Sequence, residues 1–110
     1  RHMHEAFADR ICGGMDRAVR ELPFGPGMIV WTIDGYMFAA YTEAGEGVSL
    51  RISISDMIAG PGSWHGGWQS HMSGSWVLIP WRTRPEELRR RIAISYELVL
   101  ADRNGQREEA

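Results

Sequence analysis

Few residues of this chain have both the type and the spacing that chemistry requires. His65 and His71 share a glycine-rich stretch, six residues apart, with Asp56 a short way upstream. That separation is not a zinc-ligand spacing, which brings its donors in close pairs. Cys12 is the sole cysteine and falls beside Ile11 inside a helical pattern. It reads as a small packed residue rather than a nucleophile, and alone it forms no internal disulfide. Glu5, Asp9, Asp16 and Glu21 are interleaved with Arg17 and Arg20, the pattern of a solvated helix face rather than a metal ridge. The chain carries no nucleophile elbow, and its Gly60-Pro61-Gly62 and Gly66-Gly67 runs follow no strand and open no helix, as a phosphate loop would. No catalytic residue, metal or cofactor is therefore expected, and the chain reads as a non-enzymatic binding protein.

Binding residues are easier to find. Every basic side chain except the histidines is arginine, and Arg82, Arg84, Arg89, Arg90 and Arg91 crowd the start of the last helix. Arginine offers a planar fork to phosphate or carboxylate and stacks on aromatic rings. Five tryptophans are present. Trp64 and Trp68 lie in the glycine-rich stretch, Trp76 opens a strand, and Trp81 stands where the chain leaves it. These rings could line a pocket for a planar or apolar ligand, or could close over the sheet and complete a core.

Length and composition bound the rest. The 110 residues, 44 % hydrophobic and 24 % charged, suit one globular domain. A formal charge of −2 lacks the basic excess usual in a dedicated nucleic-acid binder. No apolar run approaches the ~20 residues of a membrane span. With no signal sequence recognised, the expected location is cytoplasmic, as a monomer or homodimer. Residues 1–3 read as a tag remnant or disordered start, 4–102 as the domain, and 103–110 as a polar tail.

Several elements must position these residues. Phe7, Ile11, Met15, Val19 and Leu22 form one apolar stripe, predicting a helix from His4 to Leu22 with Gly13-Gly14 in its middle. Met28–Ile33 and Tyr36–Thr42 read as strands joined by Asp34-Gly35, a type I′ hairpin signal. Val48–Ile54 alternates Val48, Leu50, Ile52 and Ile54 against Ser49, Arg51 and Ser53, predicting a sheet with one buried face and one polar face that carries Arg51. Ser55–Gly74 is irregular, Trp76–Pro80 is a last strand, and Thr83-Arg84-Pro85-Glu86 is a capping box opening the final helix. The expected fold class is a two-layer α+β domain, with N- and C-terminal helices packed on one face of an antiparallel sheet.

These segments resemble the MmcQ/YjbR family. Leu22-Pro23-Phe24-Gly25-Pro26 followed by Val30-Trp31-Thr32-Ile33-Asp34-Gly35-Tyr36-Met37-Phe38-Ala39 is similar to its "PFGP…VFKVxGKMFA" segment. Leu50-Arg51 resembles its "LxLK" strand, His71-Met72 with Trp76 its "HM(N)K…HW" segment, and Arg84 to Val99 its closing "ELxxLIxxSYxLV" helix. The likeness runs from about Ala6 to Ala101. It implies a CyaY-like fold and binding of double-stranded DNA, carried by Arg51, His71 and the polar face around Trp76; the arginines at the start of the last helix, Arg82, Arg84 and Arg89, are the further phosphate contacts expected from their own clustering. Tyr36 stands where the family has lysine, and Ser73-Gly74 where it has Asn-Lys, so two cations are missing from the surface that would meet phosphate. The other expectation is a small-molecule binding or sequestering protein, or an interaction module, using Trp64, Trp68, Trp76, Trp81 and Tyr36.

Overall fold

Gly13-Gly14 ends the first helix instead of interrupting it. The computed structural model describes residues 3–53 and 76–103, and in it α1 is confined to Met3–Gly13. Two glycines cost helix roughly 1 kcal/mol each relative to alanine. The chain turns through Met15, with Arg17 at φ 62°. It then enters the sheet as β1 (Ala18–Glu21), pairing residue for residue with β2 (Ile29–Ile33). The single helix expected to reach Leu22 is thus a helix and an edge strand. Val19 and Leu22, which continued its apolar stripe, are about half exposed.

The remaining strands follow as a meander. Asp34 (φ 54°) and Gly35 (φ 87°) both take the left-handed conformation that a type I′ turn demands, and join β2 to β3 (Tyr36–Tyr41). Next come β4 (Gly47–Arg51) and β5 (Trp76–Pro80), giving an antiparallel sheet in the order β1-β2-β3-β4-β5. Gly47 lets β4 close on β5, since a Cβ there would lie 2.1 Å from the Ile79 carbonyl oxygen. The last helix, α2 (Pro85–Arg103), opens at the expected proline, but the expected capping box does not form, since Thr83 N–H donates to the Pro80 carbonyl rather than to the Glu86 carboxylate. Its first turn closes with Leu88 N–H donating to the Arg84 carbonyl, so Arg84 stands at the cap and its guanidinium holds the Glu86 carboxylate (2.8 Å). The expected irregular segment, Ser55–Gly74, lies outside the described residues.

The architecture is α+β, with the N- and C-terminal helices contributing to one core on one side of the sheet. Ala8, Ile11 and Cys12 of α1 and Leu88, Ile92, Tyr96 and Val99 of α2 bury against Ile29, Trp31, Ile33, Phe38, Val48, Leu50 and Ile79. The opposite face is not polar. Val30, Thr32, Ala40, Ser49, Trp76 and Leu78 are all buried as well. The alternation of β4 suggested solvent because Ser49 is polar, but serine is small enough to pack beside Ala40 and Leu78, its partners in the ladders on either side.

A β-bulge couples the sheet to α2. Trp31 pairs with Ala39 but Thr32 pairs with Met37, so Phe38 has no partner on β2. The extra residue sends both Phe38 and Ala39 into the core, where Phe38 meets Tyr96 edge to face at 5.4 Å. Ala39 opposes Leu50, so one further step would set Phe38 against Arg51. Ser95 of α2 occupies that place. Its hydroxyl accepts from Arg51 N–H (2.8 Å) and donates to the Phe38 carbonyl (2.5 Å). Replacing Ser95 by alanine would strand two buried backbone groups, each costing about 1–3 kcal/mol. A urea titration of Ser95→Ala should show a loss of at least about 2 kcal/mol, whereas an unchanged midpoint would mean that the relay contributes little.

Candidate functional site

The expected phosphate contacts are dispersed by the fold. Arg51 closes β4, and its guanidinium turns inward to Asp102 near the end of α2 (2.6 Å), leaving the side chain 14 % exposed. The open polar face expected around it is absent, because the far side of the sheet is buried and the Asp102 carboxylate holds the cation against α2. Arg82, Arg84 and Arg89 are exposed around the start of α2. Arg84 is bound to Glu86, and this hydrogen bond holds the Glu86 carboxyl below its usual range. Glu87 is lowered in the same way by Arg90. His71 lies outside the described residues.

The aromatic residues also go to different places. Trp76 is buried at the start of β5, opposite Arg51. Trp81 is half-buried after β5, stacked on His4 (4.7 Å, 12°), edge-on to Tyr41 (5.8 Å) and donating from Nε1 to the Gly45 carbonyl (3.0 Å). Tyr36 is exposed at the opposite end of β3 from Tyr41, about 17 Å away for a strand of this length. Tyr36, Trp76 and Trp81 therefore do not converge on one pocket. Trp64 and Trp68 lie outside the described residues.

Beside Trp81 the fold builds a polar seam that sequence reasoning missed. The Tyr41 hydroxyl donates to Asp9 Oδ1, and Trp31 Nε1 donates to the Tyr41 oxygen (2.8 Å) and to the same carboxylate (3.3 Å). Arg20 from β1 pairs with Asp9 (3.2 Å) and Glu5 (3.4 Å). Glu43 accepts from the Glu5 backbone N–H (2.7 Å) and faces His4 at 3.7 Å. The seam locks α1 to β1, β2 and β3. Burial above all, then the bond to Asp9, raises the Tyr41 hydroxyl far above its ordinary range. Burial, followed by the Asp9 charge, does the same to the Cys12 thiol. Neither group is poised as a base or nucleophile. The only hint in the sequence was Asp9 within an otherwise ordinary acidic helix face.

The cavity that the described residues do form lies elsewhere. A cleft of about 190 Å³ opens on the sheet face away from the helices, near the β3–β4 turn. Ala40, Ser49 and Leu78, aligned across β3, β4 and β5, line it together with Met28, Thr42 and Glu46. Small residues on neighbouring strands leave the depth, and the Ser49 and Thr42 hydroxyls bring hydrogen-bonding capacity into a mostly apolar wall. None of the described tryptophans, Trp31, Trp76 and Trp81, is among the residues lining it. Sequence reasoning passed over these residues because a row of small side chains across three strands shows only once the register is known.

Among the described residues, no group of three or more His, Cys, Asp or Glu side chains is placed to hold a metal ion, and no helix is long and apolar enough to cross a membrane. No family model matches the chain, and searches of curated proteins and solved structures found no match.

The state of Cys12 is directly testable. The raised folded value means that the unfolded chain ionises first, so the thiol's contribution to stability is complete below the ordinary thiol range and declines as pH rises through it. A thiol reagent at pH 8 should leave Cys12 unmodified in the native protein and label it fully in urea; rapid native labelling would contradict its burial.

Proposed function

We propose that this chain is a non-enzymatic binding domain whose cleft at Met28, Ala40, Ser49 and Leu78 takes a small, mostly apolar or planar ligand. The observation that carries the reading is the cleft itself, with its small-residue floor and its apolar wall relieved by two hydroxyls. Its volume lies below the range of drug-sized sites, so the ligand class is one of few heavy atoms. Indole and phenol are suitable probes by saturation-transfer NMR. Saturable contact with the native protein, weakened at least about tenfold by a charge at the rim in Met28→Asp, is the expected result. Equal contact in Met28→Asp, or none in the native chain, would sink the reading.

The second reading, DNA binding of the MmcQ/YjbR type, draws support from Arg82 and Arg89. Both are exposed beside a helix start, and no ion pair among the described residues involves either. The inward turn of Arg51 weighs against it, because affinity for duplex DNA depends on the number of phosphates neutralised. Gel retardation of duplex DNA at low salt should be weak, and should vanish in the Arg82→Ala/Arg89→Ala double variant. Strong retardation that the double variant retains would exclude this surface as the contact.

A further inference from the structure

Arg91 is the one buried charged side chain among the described residues, and no ion pair there involves it. It lies on the buried side of α2, one turn after Glu87 and one turn before Ser95, and is only 5 % exposed. Its Nη2 is buried and has no hydrogen-bond partner. Lysine or histidine can shed its charge on burial, but arginine in a protein cannot. A buried cation of this kind is strongly destabilising unless an anion faces it.

Among the described residues no carboxylate pairs directly with Arg91, although Glu87 feels its charge. Glu87 stands at the right spacing along the helix, but both of its oxygens are held by Arg90, at 3.1 Å and 2.8 Å. Glu86 is held by Arg84 and Asp102 by Arg51. Glu97 is exposed, 120° around the helix from Arg91 at the usual 100° per residue. The strands that α2 packs against, β2, β3 and β4, contain no acidic residue. On α1, Glu5 and Asp9 are bound to Arg20, with Asp9 also bonded by Tyr41 and Trp31. Glu5, Asp9, Glu86, Glu87 and Asp102 are thus held by other arginines, while the most deeply buried guanidinium keeps an open donor.

We propose that Arg91 is the anchor of a site for a small oxyanion, a phosphate or a carboxylate, which supplies the missing counter-charge through the free edge of its guanidinium. The planar fork of arginine matches the paired oxygens of either group. Exposed Arg89 and Arg82, near the same end of α2, add a positive field that favours anion entry. This site lies on the helix side of the sheet, apart from the cleft, so it does not depend on the proposed cleft ligand.

The test uses the full chain. Thermal unfolding is followed in chloride, in inorganic phosphate and in acetate at matched ionic strength, for the native protein and for Arg91→Met. A ligand that binds only the folded state raises Tm with its concentration. The native Tm should rise by at least about 3 °C in phosphate or acetate, relative to chloride, at concentrations well above Kd. The arm giving the larger rise identifies the class of anion. Arg91→Met should lose that rise while being as stable as the native chain, or more so, in chloride, because it removes a buried charge. Should Arg91→Met fail to fold, phosphorus NMR line broadening of inorganic phosphate by the native chain, reversed by added acetate, replaces it for a site shared by both anions. Equal native Tm in all three salts, an anion response that Arg91→Met retains, or unbroadened phosphate together with no acetate effect would overturn the proposal.

Discussion

A single buried hydroxyl ties the two layers of this domain together. The bulge at Phe38 interrupts the β2–β3 ladder, and the β3–β4 ladder ends one step short of joining Phe38 to Arg51. Ser95 fills that step from the helix layer, receiving a hydrogen bond from one strand and passing one to the other. A helix side chain thereby takes part in the ladder of the sheet. The position of α2 follows from this contact, and with it the packing of Leu88, Ile92, Tyr96 and Val99 on β3 and β4. The bulge also turns Phe38 toward Tyr96, so the irregularity that creates the need for Ser95 also creates the surface on which α2 rests.

The second fastening is electrostatic and lies at the other end of β3. Tyr41, Trp31, Asp9 and Arg20 link α1 to three strands through hydrogen bonds and a part-buried ion pair. Buried polar networks stabilise when their members are satisfied and are costly when they are not. The seam is of the satisfied kind, which explains why a cluster of titratable side chains beside two aromatic rings reads as structure rather than as a catalytic centre. Arg91 is the contrasting case, a buried donor with no protein partner.

The same geometry redistributes the residues that the sequence offered for meeting DNA or a ligand. Arg51 turns to Asp102, Trp76 is buried in β5, and Trp81 packs on His4 and Tyr41. What remains outward is the arginine cluster at the start of α2, partly neutralised by Glu86 and Glu87. The cleft across β3, β4 and β5 is built from residues with no chemical signature of their own, and its shape depends on which of them become neighbours.

Local physics was legible in the sequence wherever a residue's own backbone preference decides the outcome. Asp34-Gly35 turns because both residues tolerate positive φ, Trp76–Pro80 extends as read, and Pro85 opens α2 where proline fits a first turn. Those signals sufficed for an α+β domain with a terminal helix at each end. Tertiary structure decided the rest, because the deciding partners are distant in the chain. The segment after Gly14 carries a helical stripe but gains more by pairing with β2, where Ala18 meets Ile33, fifteen residues further along the chain. Ser49 looks like solvent-facing alternation until Ala40 and Leu78 are seen beside it. Arg51 looks free until Asp102, fifty-one residues later, comes within 2.6 Å. Hydrophobic periodicity reports which side chains prefer burial; it carries no information about which carboxylate will meet which arginine, and in this protein those meetings set the candidate sites.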